Sequence, residues 1–259
     1  MNNNLYMVQV IILAGGMGKR MQSELPKVLV HFHHKPMIVH VVIQSLELNP
    51  NQILVVVGEN TGPLIRETLH KWFPNETRIQ YVLQQNPQGT GHAVQCCLPY
   101  LQEDKETLIL SGDVPNIKAN TLKEYFELDN PDPKISGKLL AFTPSNNNGY
   151  GRVIEDEGSL LYICEEKDCN ESLKEVKLCN TGIYCIDSAF IKNYIGNIEN
   201  NNKSNEYYLP DIFHFILEEY SKSVKVCCLP QNKNNEVAGI NTKEQLEELE
   251  RESLKCIVN

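Results

Sequence analysis

From Leu13 the chain reads Leu-Ala-Gly-Gly-Met-Gly-Lys-Arg-Met, and Pro26-Lys27 follows shortly after. Glycines in such a loop let backbone N–H groups approach a phosphate chain closely and form an anion-binding nest. Arg20 can fork onto non-bridging phosphate oxygens, and Lys27, on a turn fixed by Pro26, can deliver a point charge to a phosphorus under attack. The plainer alternatives are turn glycines and solvated surface bases. The loop is not a P-loop, because only Gly16 and Met17 separate Gly15 from Gly18-Lys19 and Arg20 follows. Nor is it the dinucleotide fingerprint, which read from Gly16 requires a glycine where Met21 stands. Further on, Leu110-Ser111-Gly112-Asp113-Val114-Pro115 places an acid at the end of an apolar run. An acid at the carboxyl end of a parallel strand, beside a glycine, suits a magnesium ligand; a turn aspartate is the bland alternative.

The Leu-Ala-Gly-Gly-x-Gly-x-Arg-Met loop with Leu-Pro-Lys downstream resembles the sugar-nucleotide pyrophosphorylase (nucleotidyltransferase) family, in particular its bacterial N-acetylglucosamine-1-phosphate uridylyltransferase domains. Further stretches match in order, so the resemblance runs from Val8 to about Leu249. It implies nucleotide contacts from Leu13, Ala14, Gly15 and Gly16, and a uracil-reading segment made of Gln84, Gly89 and Thr90. The Gln84 amide can offer both a donor and an acceptor to a base edge. Seen without the family, Gly89-Thr90-Gly91 starts a helix with a threonine cap, and both readings can hold together. His92 reads as a packing residue at that helix start.

The resemblance further implies that the backbone of Gly151, the carboxylate of Glu165 and the amide of Asn180 hold the sugar, with Glu206 and Tyr208 against it. On spacing alone, Gly149 and Gly151 are turn residues and Glu165 is a surface charge. Asn241 resembles the second protein ligand of a Mg2+ ion whose first is Asp113. Ser111 stands where bacterial members often have tyrosine. The implied reaction is in-line attack by a sugar 1-phosphate oxygen on the α-phosphorus of UTP, with N-acetylglucosamine 1-phosphate as acceptor and pyrophosphate leaving. Lys27 and Arg20 would be the catalytic residues, Lys27 neutralising the reacting phosphates and Arg20 holding the pyrophosphate end. The alternatives are another sugar-1-phosphate nucleotidyltransferase, making a UDP-glucose, dTDP-glucose or CDP-linked product, or a catalytically silent sugar-nucleotide-binding subunit.

These groups need strands to carry them. Val8 to Leu13, Ile53 to Val57, Ile79 to Leu83 and Thr107 to Leu110 are short apolar, β-branched runs. They alternate with longer amphipathic stretches, Met37 to Leu48, Thr61 to Trp72, Gly91 to Leu101 and Thr121 to Leu128, the pattern of a parallel α/β sheet. Such sheets bind ligands at the carboxyl ends of their strands. From about Lys138 the texture turns to strand-like pieces, Leu139 to Thr143, Arg152 to Glu155, Leu160 to Cys164, Gly182 to Ile186 and Val224 to Leu229. Helices are expected over Tyr208 to Tyr220 and Thr242 to Ile257, and a mobile polar loop over Asn197 to Asn205. The expected fold is a Rossmann-like, mixed, mainly parallel sheet flanked by helices, of the nucleotide-diphospho-sugar transferase type, with a β-rich substrate-covering extension. A single domain is expected, with a nucleotide-binding half over about 8–130 and a sugar-binding half over 131–259.

At 259 residues, 41% hydrophobic and 22% charged, the composition is that of an ordinary globular protein. The net charge of -9 repels polyanions and argues against nucleic acid or acidic membrane as partner. Phosphates must then be held by local donors. Nine cysteines without a CxxC indicate neither a zinc site nor a disulfide framework, but buried free thiols in a reducing compartment. No stretch suits a secretory signal or a membrane span, so a cytoplasmic protein is expected. No hexapeptide periodicity of a β-helix is present, so acetyltransferase activity is not expected, and the β-helix-built trimer of the bacterial enzymes says nothing of oligomeric state here.

Overall fold

The computed structural model describes residues 8–16, 18, 21, 23–129, 132–218 and 223–258. Gln9–Leu13 forms β1, whose side chains are buried on both faces, as a central strand between parallel neighbours requires. After the glycine loop, the two-residue strands β2 (His31–Phe32) and β3 (Lys35–Pro36) make a small hairpin that leads into helix α1 (Met37–Glu47). Then β4 (Ile53–Gly58), α2 (Gly62–Trp72), β5 (Ile79–Gln84), α3 (Thr90–Gln95), β6 (Glu106–Ser111) and α4 (Ala119–Phe126) complete the alternating half. The remainder is built from β7 (Ile135–Phe142), β8 (Arg152–Asp156), β9 (Ser159–Cys164), α5 (Glu171–Lys174), β10 (Cys179–Asp187), α6 (Ser188–Tyr194), α7 (Ile212–Glu218), β11 (Ser223–Cys228), α8 (Asn234–Val237) and α9 (Lys243–Val258).

One nine-stranded sheet runs through both parts in the order β5-β4-β1-β6-β10-β7-β11-β9-β8. Strands β5, β4, β1 and β6 are parallel, and their register aligns Gly58 with Gln84 and Leu13 with Ser111. The glycine loop, the 85–90 segment and the Gly112-Asp113 turn therefore leave the sheet at one edge. Strand β10 enters antiparallel to β6 and joins this edge to the second half. There the pairings are mostly antiparallel, apart from β7 with β11, and β8 touches β10 again through Arg152 and Cys179, so the far end of the sheet turns back on itself. Two apolar clusters cover the two faces of β1, with Val10 and Ile12 in one and Ile11 in the other.

The expected mixed α/β fold is the one observed, with its parallel pairings concentrated in the first half. Several elements differ in extent. The helix expected over Gly91 to Leu101 and to end near Pro99 already stops at Gln95, and a 3-10 turn over Leu98–Tyr100 follows, with Pro99, which has no N–H to continue a helix, inside it. The helix expected from Tyr208 opens with a 3-10 turn at Leu209–Asp211 before α7. The β2–β3 hairpin and helix α6 lay outside the sequence expectation. The Asn197 to Asn205 segment is irregular yet tied down: Asn202 Oδ1 accepts from the N–H groups of Ser204 and Glu206, and Lys203 N–H donates to Asp168 Oδ1 at 3.0 Å. Among the described residues no helix is long and apolar enough to cross a membrane.

Candidate active site

Lys27 opens the 3-10 turn that follows Pro26, and its side chain lies over Gly18. Gly18 has φ +65, and a Cβ there would stand 2.5 Å from Lys27 Cβ, so only glycine lets the loop and the lysine come together. The Lys27 ammonium forms an ion pair with Asp113 Oδ2 and donates to Asn241 Oδ1 at 2.6 Å. These three groups come from the loops after β1 and β6 and from the segment before α9. Ser111 Oγ donates to the other carboxylate oxygen, Asp113 Oδ1, at 2.6 Å, and so turns Oδ2 toward Lys27.

A cavity of about 290 Å³ opens beside this trio. Of the residues expected in the site, Leu13, Thr90, Asp113, Gly151, Glu165, Asn180, Glu206, Tyr208 and Asn241 line it. Lys27 lies outside that lining and reaches it through Asp113 and Asn241, and Ala14, Gly15, Gly16, Gln84 and Gly89 also lie outside it, in a neighbouring arrangement at the ends of β1 and β5. There Gln84 Nε2 donates to the Gly89 carbonyl at 3.0 Å, while a Cβ on Gly15 would come 3.3 Å from Gln84 Oε1. One of the two Gln84 amide hydrogens is thus committed within the protein. Gly16 has open space around it, as an anion cradle needs. Arg20, together with Met17, Lys19 and Gln22, lies outside the described residues.

The threonine cap does not form: Gly89 is the N-cap of α3, without a side-chain bond, and Thr90 Oγ1 accepts from Leu209 N–H at 3.1 Å instead. That bond belongs to a bridge between the two halves. Tyr207 N–H donates to the Gln88 carbonyl and Gly91 N–H donates to the Tyr207 carbonyl, both at 2.8 Å. His92 is half-buried, its Nδ1 3.3 Å from Gln84 Nε2, and does not line the cavity.

The sugar-side expectation falls on β8 to β10. Gly151 is buried, and a Cβ on it would meet Glu165 Oε1 at 3.3 Å. Glu165 forms no side-chain hydrogen bond among the described residues. Burial, followed by the charges of Asp211, Asp168 and Glu206, pushes its carboxyl up to about 7. Asp211 behaves likewise, raised to about 6 by burial and by Asp168. Asn180 is buried with its amide engaged at both ends, Nδ2 donating to the Tyr184 hydroxyl at 2.6 Å and Oδ1 accepting from Gly182 N–H at 3.1 Å. Tyr208 is half-buried and Glu206 exposed at the rim.

Among the further cavity residues, Ser111, Tyr184 and Tyr150 have contacts that the sequence reading did not assign. Ser111 was noted only as a departure from tyrosine, but it anchors Asp113. Tyr184, buried on β10, holds Asn180. Tyr150 packs edge-on against Phe142 and lines the cavity, its hydroxyl pushed up by burial. Tyr150 sits inside the Asn148 to Val153 motif, and that was the one signal available.

A glycine loop and a lysine thus meet at the carboxyl edge of an α/β sheet, the edge at which such sheets bind ligands. The sequence profile of the Nucleotidyl transferase family matches residues 9–231, and the chain belongs to that family. It is 44% identical over 252 residues to a protein of Acanthamoeba polyphaga mimivirus named "Probable UDP-N-acetylglucosamine pyrophosphorylase", covering 96% of this chain and 97% of that one. It is 38% identical over 248 residues to the bifunctional protein GlmU of Legionella pneumophila, covering 94% of this chain but 52% of that protein, so it spans about half the length of this bacterial relative. Among solved structures, a UDP-glucose pyrophosphorylase complexed with UDP-glucose superimposes with a TM-score of 0.71 at 14% identity, covering 96% of this chain and 99% of that one. The inositol-1-phosphate CTP transferase of T. maritima gives 0.66 at 16% identity, covering 95% and 96%. At such identities the likeness is one of fold.

Proposed function

We propose that the chain is a UDP-N-acetylglucosamine pyrophosphorylase, a magnesium-dependent enzyme of the cytoplasm that transfers UMP from UTP to N-acetylglucosamine 1-phosphate and releases pyrophosphate. The observation that carries this reading is the Lys27 ammonium held between Asp113 Oδ2 and Asn241 Oδ1, with the glycine loop beneath it and the Gly151–Glu165 wall across the cavity. The mimivirus and Legionella relatives support the choice of substrates by their names. Eight free cysteines among the described residues fit a reducing compartment.

The chemistry needs no protein nucleophile, since the attacking phosphate oxygen is already anionic and requires positioning. A phosphate oxygen of the sugar substrate forms a bond to the α-phosphorus as the bond to the bridging oxygen of pyrophosphate breaks. Asp113 and Asn241 fit a magnesium ion: their two oxygens already converge on one cationic centre, the lysine ammonium. A pair of protein oxygens is few, but magnesium keeps waters and takes further oxygens from substrate phosphates. When bound there, the ion supplies Lewis-acid neutralisation of phosphate charge. Lys27, released from those oxygens, donates to the phosphate under attack. Gly16 offers its backbone N–H to the triphosphate, and Glu165 accepts from sugar hydroxyls. Arg20, four residues beyond Gly16, is assigned to the pyrophosphate end.

The deciding experiment offers UTP, dTTP and CTP against several sugar 1-phosphates and identifies products by mass, with and without EDTA. UDP-N-acetylglucosamine should dominate and vanish in excess chelator. A different nucleotide sugar as main product would replace the substrate assignment, and undiminished turnover in chelator would remove the metal.

A further inference from the structure

Next along the chain from Gly149, Tyr150 and Gly151, which line the substrate cavity, Arg152 serves a separate cleft of about 520 Å³. Lys167, Lys174, Lys177 and Lys203 line it too, against two carboxylates, Glu166 and Glu175. Five bases gather here although the whole chain carries 24 Lys and Arg against 33 Asp and Glu. Glu166 is partly committed, since its Oε1 accepts from Gly149 N–H at 2.7 Å.

Arg152 is the decisive member. It is 2% exposed, and its guanidinium donates only to backbone carbonyls: Nη1 to Tyr150, and Nε and Nη2 to Lys174 at 3.4 and 3.5 Å. Among the described residues it has no ion-pair partner, and the Lys177 ammonium has neither an ion pair nor a hydrogen bond. A desolvated guanidinium without a counter-ion is a costly arrangement that an anion would relieve. Lys174 pairs with Glu171 at 2.8 Å, and the Lys167 and Lys203 ammonium groups donate to Ser204 Oγ and to the Lys167 carbonyl, so the Arg152 guanidinium and the exposed Lys177 ammonium are the groups that match the non-bridging oxygens of a phosphate group. The space is that of a small-molecule site, which typically runs to about 300–1,000 Å³.

We propose that this cleft is a second anion site, distinct from the substrate cavity, that takes a small phosphate-bearing molecule. The ligand is either free phosphate or a phosphorylated organic compound, and two probes separate them. Inorganic phosphate and a hexose 6-phosphate are titrated calorimetrically into the Lys27→Ala protein, in which the substrate cavity has lost its base, and into the same protein carrying Lys177→Glu and Lys203→Glu. The Lys27→Ala protein should bind at one site, and the two charge reversals, both at exposed positions, should weaken that binding at least tenfold. Tighter binding of the hexose phosphate identifies an organic ligand, and equal binding identifies free phosphate. Absence of binding in the Lys27→Ala protein, or binding unchanged by the reversals in a protein that circular dichroism shows to be folded, overturns the site. This test does not involve turnover, so it stands or falls separately from the proposed function.

Discussion

Lys27 stands at the meeting point of loops that are far apart in sequence, and its partners decide what its loss would do. Without the ammonium, Asp113 still has the Ser111 hydroxyl at 2.6 Å, so the fold should tolerate Lys27→Ala, and Asp113→Ala likewise leaves only one short side chain changed. Turnover should not tolerate either. Removing an oriented electrostatic group costs about 2.7–4 kcal/mol, roughly a hundredfold to a thousandfold in kcat. Pyrophosphate release measured beside circular dichroism checks both halves of this expectation, and near wild-type turnover in a folded variant would contradict the assignment. Glu165 gives a second expectation, through pH. Its folded-state value of about 7 is above the ordinary 4.5, so the native state holds the proton more tightly than the unfolded chain does. That contribution to stability is complete below about pH 4.5 and is lost as pH rises through about 7, a change on the order of 3 kcal/mol. Asp211 acts in the same direction. Glu165→Gln should therefore be more stable than the wild type at about pH 8 and lose that advantage near pH 4, while the KM for the sugar phosphate rises. Urea midpoints of both proteins across this range measure it; a gap that widens toward acid would contradict the buried, raised carboxyl. Lys27 was legible from the glycine loop upstream and the Pro26 beside it, and Asp113 because it follows a strand with Gly112 beside it. Asn241, 214 positions from Lys27, has no local pattern linking it to the pair and emerged only from the family resemblance. Tyr184 was not legible at all, because a tyrosine in a buried strand reads as core.

At the level of elements, the central strands were readable because a strand buried on both faces must be a continuous apolar run, and β1 and β4 are such runs. Helix α6 was missed because its seven residues are too few for a helical period to stand out, although Asp187 caps it by accepting from Ala189 N–H at 2.9 Å. The two-residue strands of the hairpin give no alternation to detect. What sequence could least reveal is contact between loops, and the bridge from 88–91 to Tyr207 is the case that matters for function. Gly89 has φ +112, and a Cβ there would lie 2.5 Å from the Tyr207 carbonyl oxygen. Gly89→Ala should therefore part the two loops and cost about 1–3 kcal/mol of stability. Because Tyr208 and Glu206 flank the broken contact and Gln84 donates to the Gly89 carbonyl, KM values for both substrates should rise together. Steady-state kinetics with each substrate varied in turn tests this, and a change confined to one KM would show that the bridge does not couple the two sides.

Across the whole molecule, the sequence divides into an alternating half and a strand-rich half, yet the sheet is continuous through the antiparallel pairing of β6 with β10, from Tyr184 opposite Ile109 to Asp187 opposite Glu106. Buried polar groups stitch the same boundary. Gln9 Nε2 on β1 donates to Ser188 Oγ at 2.8 Å, Ser188 Oγ lies 2.7 Å from Thr107 Oγ1, and the fully buried Lys138 on β7 donates to Glu106 on β6 at 3.0 Å. Separating the halves would strip Ser188 Oγ and the Lys138 ammonium of these partners, while Gln9 and Thr107 keep each other, and an unpaired buried polar atom costs about 1–3 kcal/mol, more when charged. The halves should therefore unfold together. Trp72, the single tryptophan, sits on α2 in the first half and reports that half alone, whereas far-UV circular dichroism averages over all strands and helices. Urea titrations followed by Trp72 fluorescence and by circular dichroism should give one coincident transition. A fluorescence transition that precedes or trails the dichroism change would mean that the first half unfolds on its own, and that the 9–13, 106–111 and 179–187 strands join two domains instead of forming the middle of one.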